Sequence, residues 1–188
     1  MNTKDKELVA DILAKSFIDN QSIQFVVKQD KHKVRRLNLL MKYSIYYGET
    51  FGKVYLSDTR NACAIILDSR KKRTTFASVL WDIRLVFGCM GISNVKKVLK
   101  RETLIKQNHP KIDFIHLWYI GVNPDHQGNG LGTQLMQQII QDAKSMRLPI
   151  YLETSNVRNH KFYHELGFNI IGEMSELGYP LKMFLKEH

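Results

Sequence analysis

The residues of this chain best placed to do chemistry lie in one short run, Gln127-Gly128-Asn129-Gly130-Leu131-Gly132. An apolar strand precedes it, with Ile112, Phe114, Ile115 and Leu117 through Val122. An amphipathic helix follows it, with Leu131, Leu135, Ile139, Ile140 and Ala143 at helical spacing. Glycine lets backbone approach a ligand closely and take up positive φ. The free N–H groups and the positive dipole end of a new helix favour an anion, most naturally a phosphate. A strand, a glycine-rich turn and a helix in this order therefore predict a pyrophosphate cradle.

Two commoner phosphate loops do not fit. The nucleotide P-loop requires G-x-x-x-x-G-K-[ST], and no lysine occurs in this turn. The dinucleotide fingerprint requires G-x-G-x-x-G and an acidic residue about twenty positions on. Here the glycines run G-x-G-x-G, and Glu153 near the expected distance does not repair the mismatch. The spacing Gln-x-x-Gly-x-Gly, spelled by Gln127, Gly130 and Gly132, resembles motif A of the GNAT superfamily N-acetyltransferases. The preceding Ile120-Gly121-Val122-Asn123-Pro124-Asp125-His126 resembles the strand and turn that lead into that motif. Downstream, Leu152-Glu153-Thr154-Ser155-Asn156 is followed by Phe162-Tyr163-His164-Glu165-Leu166-Gly167-Phe168. That is similar to the family's second signature: a strand, an asparagine, a short helix ending in Phe-Tyr, and Gly-Phe opening the next strand.

The resemblance implies an α/β fold of the GNAT (acyl-CoA N-acyltransferase) type, a mixed central sheet flanked by helices. It also implies acetyl-CoA as cosubstrate. Backbone amides of Gln127, Gly128, Asn129, Gly130, Leu131, Gly132 and Thr133 would hold the pyrophosphate. The strand at Ile120, Gly121 and Val122 would hydrogen-bond the pantetheine arm, with Asn156, Phe162 and Tyr163 also on the coenzyme A side. Tyr163 matches the family's general-acid tyrosine, since a phenol of ordinary pKa, about 10, can protonate a leaving thiolate. Packing at a helix end explains a tyrosine there as well, and Asn156 equally suits the N-cap of the helix that follows.

Members of the family place a Glu or His near position 116 to take the amine proton. His116 suits that task because imidazole titrates near neutrality. Alternation puts it on the same face as Trp118, Ile120 and Val122. Glu153 is the rival base; a histidine satisfied within the sheet, and proton removal through water, stay open. The implied reaction is direct attack of a primary amine in a ternary complex, with no metal and no covalent enzyme intermediate. Another acyl-CoA donor, or a non-catalytic acetyl-CoA sensor, are the alternatives.

Such residues need elements to position them, and hydrophobic periodicity supplies a set. Residues 4–17 predict a helix, with Leu8, Ile12, Leu13 and Phe17 on one face. Residues 32–47 predict a second, closed by Gly48 and Gly52. Strands at 53–57 and 62–68 are joined by the turn Asp58-Thr59-Arg60-Asn61. Residues 74–107 predict a helical insert, broken at Gly88 and Gly91, over the substrate side of the cleft. Core packing explains its aromatic residues, Phe76, Trp81 and Phe87, equally well. The remainder predicts a strand (111–122), a helix (131–146), a strand (149–154), a helix (157–166) and strands at 168–174 and 181–186. Alternation of strands and helices argues an α/β sheet.

Composition bounds the rest. The 188 residues fit one domain, 1–188, and no repeat or linker marks a second. No stretch of about eighteen apolar residues exists. The polar start Met1-Asn2-Thr3-Lys4-Asp5-Lys6 lacks a signal-peptide core, so a cytoplasmic chain with no membrane partner is expected. Cys63 and Cys89, in apolar surroundings, read as two buried thiols. The formal net charge of +10 suits attraction of the coenzyme A phosphates. The clusters Arg70-Lys71-Lys72-Arg73 and Lys31 to Arg36 lack interleaved aromatics. They read as a solvated turn and a solvated helix face, which disfavours nucleic acid. A homodimer is open, because many family members dimerise. The insert and residues 175–188 are expected to shape the acceptor pocket.

Overall fold

The computed structural model describes residues 1–187; His188, the last of the residues expected near the acceptor pocket, lies outside them. Six strands are formed among the described residues: β1 (Gly52–Leu56), β2 (Ala62–Asp68), β3 (Ile115–Val122), β4 (Ile150–Thr154), β5 (Asn169–Met174) and β6 (Leu181–Lys186). They build one sheet in the order β1-β2-β3-β4-β6-β5. All neighbours are antiparallel except β3 and β4, so the sheet is mixed, as the resemblance implied. β2 reads Ala-Cys-Ala-Ile-Ile-Leu-Asp and is buried along its whole length, which suits an inner strand covered on both faces.

Seven α-helices accompany the strands among the described residues: α1 (Thr3–Phe17), α2 (Gln21–Val26), α3 (Lys33–Phe51), α4 (Phe76–Leu85), α5 (Val95–Gln107), α6 (Leu131–Met146) and α7 (Arg158–Glu165). On one face of the sheet Leu135, Met136 and Ile139 of α6 and Tyr163 of α7 pack on Ile115, Leu117, Ile150 and Leu152. On the other, Leu13 of α1 and Leu37 and Met41 of α3 pack on Cys63, Ile65 and Tyr119. Each such buried aliphatic side chain contributes roughly 1.5–3 kcal/mol relative to exposure. A third cluster continues this second face, joining Ile105 of α5 to Phe114, Tyr151 and Met183.

Several expectations are corrected. α3 runs through Gly48 to Phe51. Gly48 is a contact point, where a Cβ would come within 2.6 Å of Ile65 Cγ2, and does not end the helix. α2, started by Asn20 accepting from the Ile23 N–H, buries only Ile23 and Val26 and is too short to show a period. The insert breaks at Gly91. Gly88 lies inside a π turn (Val86–Met90), and the two arms meet at 103°. Core packing accounts for Leu85, Cys89 and Val98 but not for Phe76 and Phe87, which are 81% and 65% exposed. Cys63 and Cys89 are buried and free, and burial pushes both thiols up to about 12. Among the described residues no single helix is long and apolar enough to cross a membrane.

β3 carries the correction that matters most for the site. Tyr119 pairs with Ile65 and Leu117 with Ile66, so Trp118 is an extra residue on β3, a bulge. The bulge reverses the alternation. Ile115 and Leu117 face α6, Trp118 and Tyr119 face α1 and α3, and Ile120 and Val122 face α6 again. His116 therefore shares a face with Trp118 but not with Ile120 and Val122.

Candidate active site

β3 and β4 are paired only at Ile115↔Ile150 and His116↔Tyr151. From Leu117 onward β3 presents an edge that β4 has left. The Asn123 N–H donates to the Asn61 carbonyl at 2.8 Å, on the β2 side. Successive strand amides point to opposite edges, so the N–H groups of Ile120 and Val122 point into the gap. Gly121 faces away, under α1, where a Cβ would meet the Ser16 hydroxyl at 2.9 Å. The gap thus offers unpaired backbone donors to a narrow ligand lying along β3.

At the end of this edge the chain enters the glycine run. Gly128 and Gly130 hold φ of +81° and +75°, where a side chain is strained, and a Cβ on either would meet nothing within 4 Å. The turn is therefore set by backbone conformation, with open space around it. Gln127 Nε2 ties it to the Val122 carbonyl at 3.3 Å, and Asn129 Nδ2 donates to the His126 carbonyl at 3.3 Å. Gly130 begins α6 without a side-chain cap, and the first helical bond is Gln134 N–H to Gly130 carbonyl. The N–H groups of Leu131, Gly132 and Thr133 are left for an anion, and the sixteen-residue helix adds its dipole. Gly132 lies against Val122 and Phe162, at 3.6 and 4.0 Å from its notional Cβ, so α7 closes the side of the cradle. Backbone donors, positive dipole and open space together fit a pyrophosphate.

The two candidate bases are one unit. His116 Nε2 lies 2.7 Å from Glu153 Oε2, and His109 Nε2 lies 3.4 Å from Glu153 Oε1. Burial opposes the charge on Glu153, but the His116 and His109 imidazoles outweigh it and hold the carboxyl far below the usual carboxylate range. An ionised carboxylate only accepts, so His116 Nε2 carries the hydrogen and Nδ1 is its basic nitrogen. The buried Tyr151 hydroxyl and Glu153 Oε1 sit beside this pair without a well-formed hydrogen bond. Among the described residues, no group of three or more His, Cys, Asp or Glu side chains is arranged to hold a metal.

A cavity of about 630 Å³ opens on the pair and is lined by His116, Trp118, Ile120, Glu153 and Tyr163. Tyr163 is 4% exposed, its ring packed among Phe162, Phe168 and Phe184. Burial pushes its hydroxyl above the ordinary phenol range, so it stays protonated and can donate. Asn156 stands apart: it is exposed, and its Oδ1 accepts the Arg158 N–H at 3.1 Å at the start of α7. The insert does cover the cavity, through Asp82 of α4 and Arg101, Glu102 and Lys106 of α5. Sequence reasoning missed these residues, along with His109, Tyr43 and Tyr47, whose only shared signal is a three-dimensional one. Lys72 and Arg73 are exposed on the turn after β2, as expected, and both also line the cavity.

The profile of the Acetyltransferase (GNAT) family matches residues 46–168. A stretch of 60 residues, 30% of this chain and 35% of the relative, is 32% identical to the L-methionine sulfoximine/L-methionine sulfone acetyltransferase of Salmonella typhimurium. A longer stretch of 99 residues, 48% of this chain and 38% of the relative, is 38% identical to an uncharacterised N-acetyltransferase of Schizosaccharomyces pombe. The chain thus spans well under half the length of these curated relatives. In fold it is similar to a solved structure from Corynebacterium glutamicum described as histone acetyltransferase HPA2 and related acetyltransferase. The TM-score is 0.71 at 17% identity, covering 100% of this chain and 93% of that one.

Proposed function

The chain belongs to the acetyltransferase (GNAT) family of acyltransferase enzymes, and from that premise we propose that it moves an acetyl group from acetyl-CoA to a primary amine by direct attack in a ternary complex. One observation carries the reading: the gap between β3 and β4 has the glycine cradle at its open end and the His116–Glu153 pair at its vertex. Acetyl-CoA supplies the acyl group already activated as a thioester. Loop residues 127–133 would hold its pyrophosphate, and the Ile120 and Val122 N–H groups its pantetheine arm.

The remaining steps belong to side chains. His116 accepts the amine proton at Nδ1. Glu153 holds the ring in that tautomer and stabilises the imidazolium that forms. Tyr163 donates its hydroxyl proton to the departing thiolate. Asn156 shapes the start of α7, which carries Phe162 and Tyr163 into place. The test is coenzyme A thiol release from acetyl-CoA over a panel of amines. Wild-type protein should release thiol with at least one amine, and Tyr163→Phe should lower kcat roughly a hundredfold. Unchanged turnover in Tyr163→Phe would remove that residue as the acid.

A further inference from the structure

The charged groups lining the cavity divide into those with partners and those without. Every carboxylate is engaged. Asp82 accepts from the Tyr43 and Tyr47 hydroxyls at 2.8 and 3.1 Å, Glu102 is paired with Arg101, and Glu153 is paired with His116. Three cations, Lys72, Arg73 and Lys106, line the same cavity and close no ion pair or side-chain hydrogen bond among the described residues. Their neighbours differ. Arg70 and Lys71 turn back onto Asp68 at 2.8 and 3.8 Å, and Ser69 is bonded to Phe114. The loop is thus pinned at its base, and its last two cations are left to the cavity.

Lys72 and Lys106 come from different elements and repel each other across this space. Lys72, Arg73 and Lys106 stand exposed at the cavity mouth. The protein around Lys72, then Lys106, pushes the Lys72 ammonium below the ordinary lysine range, while Glu102, Glu153 and Asp82 attract it only from a distance. Cations of one sign gathered at a cavity mouth without partners attract an anion to it. The coenzyme A phosphates do not fill that role. Lys72 follows the end of β2 that pairs with Ile115, whereas the cradle follows Val122. The eight residues of β3 separate them by about 25 Å at strand rise.

We propose that the acceptor is an amine that itself bears an anionic group, a carboxylate or a phosphate, held by Lys72 and Lys106 with Arg73 while its amino group faces His116. This rests on the acetyltransferase reading and adds the acceptor's chemical class. It requires an acceptor short enough for both ends to fit one cavity.

The experiment measures kcat/KM by thiol release for matched pairs: α-, β- and γ-amino carboxylates against their amides, and an aminoalkyl phosphate against the plain alkylamine. The expected result is a preference for at least one anionic member of roughly tenfold to a hundredfold. The carboxylate and phosphate arms show which anion is meant. Lys72→Ala and Lys106→Ala should each raise KM for that acceptor about tenfold or more while acetyl-CoA affinity is unchanged. Lys72→Glu should reverse the preference toward the amide. Equal turnover of charged and neutral partners, or a preference untouched by Lys72→Glu, would overturn the inference and leave the acetyltransferase reading standing. Absence of acetyl-CoA binding would overturn that reading, and the inference with it.

Discussion

At one end of β3 the cradle comes from a single stretch of backbone, Gln127 to Thr133, in which two glycines hold positive φ and three helical N–H groups point outward. At the other end the polar groups around His116 are side chains drawn from α3, α4, α5, β4 and the loop after β2. Recognition by backbone depends on conformation and tolerates change in neighbouring letters. Recognition by side chains depends on which residues the tertiary fold brings together. Members of one family can therefore share the first end and differ at the second.

If the ends are separable, a change at one should leave the other alone. The largest effect is expected for His116→Ala, with kcat lowered about 10²- to 10⁴-fold and acetyl-CoA affinity by isothermal titration unchanged. Loss of both together would show that the dyad also supports the cradle. Next comes Gly130→Val. A branched residue in the left-handed region costs about 1–2 kcal/mol, so acetyl-CoA affinity should fall about tenfold or more, with kcat at saturating donor largely kept. An unaltered affinity would break the backbone account of the cradle.

The smallest effect concerns the elements that cover the acceptor end. Asp30 accepts from Arg36, which also donates to the Gly88 carbonyl at 3.0 Å and so ties the start of α3 to the π turn. The Arg36 hydrogen bond lowers Asp30 to about 2. A lowered carboxyl stabilises the fold above its unfolded pKa of about 4 and loses that contribution as pH falls through its folded value. Wild type should therefore exceed Asp30→Asn in unfolding midpoint by a constant margin above about pH 5, shrinking toward nothing near about pH 2. A margin independent of pH would contradict the ion-pair account.

How much of this was legible in the sequence follows the same division. Gly128 and Gly130 announce their conformation locally, and the strand at 62–68, the helix at 131–146 and the strand at 181–186 have the limits that periodicity gave. His116 and Glu153 were visible singly, but as rivals. Only the short β3–β4 pairing places two residues 37 positions apart within 2.7 Å. No glycine or proline marks the Trp118 bulge, so strict alternation put His116 beside Ile120 and Val122. Gly48 failed for the opposite reason: the letter that ends helices also permits close packing, and here Ile65 lies against it. Lys72 lies in a run of four basic residues whose letters are alike, yet two turn to Asp68 and two to the cavity.

The most direct test of the account is a titration of acetyl-CoA, then coenzyme A, into the full chain at moderate salt. Saturable micromolar binding at one site per chain, much weakened in Gly130→Val, is the expected result. No saturable binding would mean that Gln127 to Gly132 is a bare glycine-rich turn, and the donor side of the proposed reaction would have no site.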